Sequence, residues 1–439
     1  MDTPQLHPRA PWVAMLLAAV LLLTSVLAAC RVTPSRPVRA YPERVTPASS
    51  ALGPDLRIRM RKEADAASFN APGTLYVYSG DDAQPRWSGA GPVLLSRTPS
   101  GYLLSPAGAI LPNKRARIVA DAGLLTLGAG TESVKLEGEI HLVARPEVSA
   151  GAFDVIEAIP IERYLPGVLA KELYHHFEPQ AYAAQAIAAR SYALHERARR
   201  AALGSHFDVE ASTMDQAYAG AAAHPRAADA VRATRGRVLT WRGETLRAYY
   251  SSTCGDHAAS ARDTWPVTSG YEFNTAEPLQ ARPRVCACAS SPRHRWALDR
   301  PAAETADRLR AWGADAGHAI RKLASLRSID AESRNEAGRP NRFRVTDSAG
   351  QRFSLSAEEL RVALNTRAKN RPNITATTRV LSGDLRCIST GDTLRLTGRG
   401  FGHGVGLCQF GADGLAKQGL DHRDILARYY PGATITYLY

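Results

Sequence analysis

Glu172 is the residue whose type and setting most favour chemistry. Val168 and Leu169 precede it by four and three residues, so a helix here would put all three on one face. A carboxyl group in an apolar wall keeps its proton towards neutral pH, and can act first as an acid and then as a base. The plainer alternative is an exposed helix glutamate beside Lys171. A second group is Cys254-x-x-His257 followed by Cys286-Ala-Cys288. Three thiols and an imidazole fit a tetrahedral zinc site, and with every position filled by protein the metal would be structural. Disulfides are the main competing use of these cysteines, and free thiols the third. If three enter a metal site, Cys387 and Cys408 are left as a candidate pair. A third group is the glycine-dense run around His403 and Gln409, Gly398-Arg-Gly-Phe-Gly-His-Gly-Val-Gly-Leu-Cys-Gln-Phe-Gly411. Such a run demands backbone turns and close approaches that side chains would block. No Gly-Lys-Ser/Thr follows, so it is not a phosphate loop.

The elements that must position these groups centre on residues 164–194. The stretch reads as two helices joined at a tight corner, with Pro166 and Pro179 each in a first turn. Alanines at 181, 183, 184, 186, 188 and 189 line the second helix, where small side chains let a neighbour approach. Gln185, Arg190 and Tyr192 are its polar exceptions. Residues 54–150 read as β-rich, from alternating runs such as Leu56–Met60 and Val134–Ile140 with Gly and Pro between them. Residues 151–439 hold the helix pair, further strands, a helix over 301–328 and another over 357–365. The whole predicts an α+β chain with a β-rich N-terminal portion.

The N-terminus carries an export pattern. His7 and Arg9 precede an uncharged run from Trp12 to Ala29, which ends Leu27-Ala-Ala-Cys30. Residues 1–30 look like a lipoprotein signal peptide, with Cys30 lipidated; an uncleaved membrane helix is the alternative. Residues 31–53 are rich in Pro, Ser, Thr and Arg and read as an extended tether. The chain has 439 residues, 45% apolar content and a formal charge of +13. That allows two to three domains with real cores, and a surface suited to polyanions. Export argues against nucleic acid and leaves membrane surfaces and acidic wall polymers.

Residues 164–194 resemble the core motif of the SpoIID/LytB family of bacterial cell-wall proteins. Tyr164, Leu165, Gly167, Val168, Glu172, Gln185, Ala188, Ala189, Arg190, Tyr192 and Ala193 match it. The usual Met-Pro after the glutamate is Leu173-Tyr174 here, so the corner is expected to be built differently. Asp215-Gln-Ala-Tyr-Ala-Gly220, Ala248–Gly255 and the His403–Gln409 run resemble later family segments, though Asp256 replaces the second glycine after Cys254. The resemblance implies a mixed α/β core over 151–439 and a groove for glycan. It implies Glu172 as the catalytic residue, with Gln185, Arg190, Tyr192, Tyr250, Ser251, Ser252, His403 and Gln409 facing substrate. Resemblance to lipoprotein sorting puts Arg31, after the lipidated cysteine, with an outer-membrane destination in a cell with two membranes.

Two functions of different class follow. The first is a peptidoglycan lytic transglycosylase that cuts glycan strands, including strands stripped of stem peptides, to 1,6-anhydromuramoyl ends. It needs one acid/base group and no cofactor, with zinc at most structural. The second is a non-catalytic wall binder that enhances a partner amidase. A hydrolase is a third reading, and would need a second carboxylate. The expected location is the membrane face of the exported compartment, through the lipid anchor.

Overall fold

The computed structural model describes residues 51–221 and 224–439. The expected signal peptide, Cys30 and most of the expected 31–53 tether lie outside the described residues. The described chain is α+β, as its sequence predicts.

Two sheets form the N-terminal portion, antiparallel except where Val209–Glu210 pairs in parallel with Asp55–Ala64. One has seven strands, with Asp55–Ala64, Phe153–Pro160 and Glu139–Ala144 side by side near one end. The other has six, including Ala66–Asn70, Val93–Thr98 and Gly101–Ser105. Their strands alternate as half-buried strands should. Leu75 and Val77 point inward from one strand, Leu56 and Ile58 from another, and all are fully buried. Tyr102 of one sheet meets Phe153 of the other edge to face, with centroids 5.5 Å apart. The sheet crosses the 150/151 boundary. Phe153–Pro160 pairs with Asp55–Ala64 on one side and Glu139–Ala144 on the other, and Val209–Glu210 extends the edge. The β-rich portion and the helices therefore share one continuous core.

Helix α1 spans Ile161–Glu172 and α2 spans Pro179–Ala202. Pro179 occupies the first turn of α2, as expected. Pro166 does not sit in a first turn: α1 begins at Ile161, directly off the preceding strand, and Pro166 lies inside it. The alanines of α2 from Ala181 to Ala193 are buried, because α1, the helix α3 (Pro225–Ala233) and the strand Arg237–Trp241 all close on it. After the short helix α4 (Ala261–Thr264), a second core forms between α5 (Ala302–Asp315), α6 (Ala357–Asn365) and the strands around them. Leu309, Phe343, Val345, Leu360 and Leu396 fill it. Ser356 and Glu359 cap α6 reciprocally. The chain then returns to the first core through α7 (Gln409–Lys417) and α8 (His422–Tyr429).

Candidate active site and thiol cluster

Glu172 is the last residue of α1, with Val168 and Leu169 fully buried behind it. The side chain is half-buried and its carboxylate takes two hydrogen bonds. The Ala217 backbone N–H donates to Oε1 at 3.1 Å, and the Gln409 amide Nε2 donates to Oε2 at 3.2 Å. Burial pushes the Glu172 carboxyl above its ordinary range, while these two donors pull the other way without cancelling it.

Each donor is placed by a specific packing arrangement. Residues 215–220 cross α1 at Gly167, where a Cβ would lie 2.2 Å from the Gly220 carbonyl. Ala219 N–H bonds to the Gly167 carbonyl at 3.3 Å, and Tyr218 packs on Tyr164 with centroids 4.7 Å apart. That crossing sets the Ala217 N–H over Glu172. Gln409 opens α7 and is buried. Its neighbour Phe410 packs between Tyr174 and Phe177, with centroids 5.4 and 5.1 Å away. Here the Leu173-Tyr174 departure finds its structure: the corner is an aromatic clamp on α7. Asp413 of α7 completes it, accepting the Glu178 N–H at 2.8 Å beside Lys417 at 2.6 Å.

Gln216 joins the surroundings of Glu172 to a tyrosine pair. It accepts from the Tyr164 hydroxyl at 3.2 Å and donates to the Tyr250 hydroxyl at 3.0 Å. Burial, and after it the nearby Glu172 carboxylate, push the Tyr250 phenol well above its ordinary range. The Asp215-Gln-Ala-Tyr pattern by itself assigns no role to Gln216 or to the Ala217 N–H. The glycine either side of that segment's contact, Gly167 and Gly220, was the available signal.

The glycine-dense run threads against the Tyr250–Ser251 strand. Tyr250 and Ser251 pair in parallel with Leu407 and Cys408. Gly406 is needed at positive φ, since a Cβ there would meet the Tyr249 carbonyl at 2.0 Å. The Ser251 hydroxyl accepts from the Gly404 N–H at 3.2 Å and is buried. Ser252 is half-buried, and its carbonyl receives the Phe410 N–H at 3.1 Å. His403 stands among Tyr249 and Trp265, with centroids 5.9 and 4.9 Å away. Its Nδ1 accepts from the Val405 N–H at 3.0 Å, and the ring also bonds the Tyr250 backbone. Burial brings its pKa down to about 4, so the ring is neutral at pH 7. His403 also lines a small cleft with Asp263, Asn335, Arg339 and Glu358, of which Glu172 is not a part.

Three residues expected to face substrate lie in the core instead. Arg190 is fully buried and forks onto Glu162 at 2.8 and 2.9 Å, with a further bond to the Arg237 carbonyl at 3.1 Å. Tyr192 donates to Asp215 at 3.0 Å and accepts from Arg247 at 2.9 Å. Gln185 is fully buried, and neither amide atom has a hydrogen-bond partner among the described residues. A shared helix motif holds both residues that build a groove and residues that line it, and α2 is deep enough that these three belong to the first kind.

The thiol cluster also differs from its expected membership. Cys254, Cys286 and Cys288 do come together, but the fourth member is Cys408, with all four Sγ atoms within 4.8 Å of one another. His257 is engaged elsewhere, with Nδ1 3.0 Å from Asp384 and Nε2 receiving Arg399 at 2.9 Å. Cys408 arrives through the parallel pairing with Ser251, which spacing along the chain does not reveal. Cys387 lies against the second core, so it does not pair with Cys408, and both are free thiols.

Residues 149–241 match the family model of SpoIID, the stage II sporulation protein, and they include α1, α2 and Glu172. This is a SpoIID-domain protein. A second family model, a domain of unknown function (DUF8618), matches residues 274–406 and so takes in the second core. The SpoIID-domain chain is 26% identical over 295 residues to stage II sporulation protein D of Bacillus subtilis (strain 168), covering 64% of this chain and 76% of that protein. It is 28% identical over 282 residues to an uncharacterized protein of Brachyspira hyodysenteriae, covering 64% and 68%. It is 25% identical over 295 residues to the amidase enhancer of Bacillus subtilis (strain 168), covering 62% of this chain but 40% of the enhancer.

Proposed function

We propose that this protein is a peptidoglycan lytic transglycosylase with Glu172 as its one acid/base residue. The observation that carries the reading is the Glu172 carboxyl, its pKa raised by burial, set behind an apolar helix face and bracketed by the Ala217 and Gln409 donors. Its neutral form can give a proton to the glycosidic oxygen as the bond to the anomeric carbon breaks. The C6 hydroxyl of the same muramoyl residue then attacks that carbon, and its proton passes to the Glu172 carboxylate. The product is a 1,6-anhydro end, and the glutamic acid is restored. His403, neutral and tied to the Tyr250 backbone, lines a cleft that Glu172 does not reach and takes no part in the proton transfer. The relatives named for sporulation and for amidase enhancement are consistent with work on the wall.

We further infer export through residues 1–30, lipidation at Cys30 and a stand-off from the membrane along residues 31–53. Among the described residues no helix is long and apolar enough to cross a membrane. The charge of +13 suits an acidic wall.

The second reading is a wall-binding enhancer of an amidase, favoured by the amidase-enhancer relative. The full chain, incubated with intact and with peptide-stripped sacculi, separates the two. Release of anhydro-ended fragments that stops in Glu172→Gln supports the enzyme. Binding to sacculi with no fragments from either form supports the enhancer.

A further inference from the structure

Four cysteines from three separated segments converge in the first core. Cys254 follows the Tyr250–Ser251 strand, Cys286 and Cys288 flank Ala287 in a loop, and Cys408 is the residue before α7. All four are buried, and all four Sγ atoms lie within 4.8 Å of one another. A tetrahedral zinc with metal–sulfur bonds of about 2.3 Å needs sulfurs spaced by about 3.8 Å, so this spread needs little adjustment. The thiols are not joined as disulfides.

The surroundings suit thiolates. The Cys254 and Gly411 N–H groups both point at the Cys408 sulfur, each at 3.3 Å. The Tyr429 hydroxyl sits 3.2 Å from the Cys286 sulfur. Donors aimed at sulfur from fixed backbone are what holds a ligand shell in place. The glycines of α7 make room. A Cβ on Gly411 would lie 2.5 Å from the Cys286 sulfur and 3.2 Å from that of Cys408. A Cβ on Gly414 would meet the Ala287 carbonyl at 2.0 Å. The Cys286–Cys288 loop is thus pressed onto α7 where only glycine allows it. A second grouping, Asp256 and His294 with Cys288, competes for one sulfur. Asp256 and His294 pair with each other at 3.0 Å, and the Cys288 thiol reaches Asp256 Oδ1 at 3.7 Å, so this pair adjoins one sulfur of the four-thiol set from outside it.

We propose that Cys254, Cys286, Cys288 and Cys408 bind one zinc ion as four thiolates, and that this ion fixes the start of α7. Binding releases the thiol protons to solvent and closes the coordination shell with protein. The metal is therefore structural. It acts on the active-site end through one peptide bond, because Cys408 precedes Gln409, the donor to Glu172. The inference does not depend on what reaction Glu172 performs.

The test is the metal content of the full chain, purified under reducing conditions without added metal. One zinc per chain is expected, with X-ray absorption at the zinc edge showing four sulfurs and no nitrogen. Cys408→Ser and Cys286→Ser should lose the metal; His257→Ala and Cys387→Ser should keep it. Cobalt exchanged into the unaltered protein should give the intense visible bands of a tetrahedral thiolate site, a readout that survives if the cysteine variants fail to fold. A metal-free chain that takes up no zinc, a chain whose mass shows disulfides among these cysteines, iron in place of zinc, or loss of zinc in His257→Ala would each overturn the assignment.

Discussion

Gln409 donates to Glu172 across 237 positions of sequence, from the first residue of α7 to the last residue of α1. The bond favours the carboxylate, while burial favours the neutral acid, and burial prevails. Glu172 must start protonated, so activity should be held at low pH and fall as pH rises through its raised pKa. Removing the donor raises that pKa further. Gln409→Ala should therefore move the alkaline limb of the kcat/KM profile to higher pH, by about 1 unit for a bond worth about 1.5 kcal/mol. A limb that stays in place or moves down contradicts this role.

Arg190 and Glu162 form a buried pair that ties α2 to α1, with the Tyr439 hydroxyl on the same carboxylate. Arg190→Met leaves Glu162 uncompensated and should cost about 3–5 kcal/mol of stability by denaturant titration. Adding Glu162→Gln should return part of that loss. Glycan affinity of the folded fraction should not change, since neither group reaches the groove.

Glu157 is buried in the central strand Phe153–Pro160, and its pKa is raised to about 7 by burial. One oxygen accepts from the Glu137 and Gly138 N–H groups at 3.1 and 2.9 Å. The Tyr218 hydroxyl also lies against this carboxyl and offsets part of the burial effect. The native protein thus keeps a proton that the unfolded chain has released above pH 4.5. Stability from this group is fully present below the unfolded pKa and declines as pH rises to about 7, by about 3 kcal/mol in all. Glu157→Gln should flatten that decline in melts taken across the range, and should be the more stable form at pH 8.

Glu172 and Gln409 were legible because each lies in a compact stretch whose local pattern carries its meaning. The apolar face of α1 and the glycine spacing before α7 survive without tertiary knowledge. Arg190 and Tyr192 were legible as special but not as buried, since a polar residue on an alanine-rich helix looks alike whether it meets a sugar or an internal acid. His257 was preferred over Cys408 because it is three residues from Cys254. The parallel pairing of Tyr250 with Leu407 brings in the true neighbour. That one core runs across the 150/151 boundary is hidden from the sequence for a related reason. Alternation marks Asp55–Ala64 and Phe153–Pro160 as strands, but their pairing is a long-range choice made by the shared core.

The most direct measurement is mass spectrometry of fragments released from peptide-stripped sacculi by the full chain in oxygen-18 water. The account predicts 1,6-anhydromuramoyl ends with no solvent oxygen, absent with Glu172→Gln. Reducing ends carrying oxygen-18, or the same fragments from the Glu172→Gln protein, would contradict it.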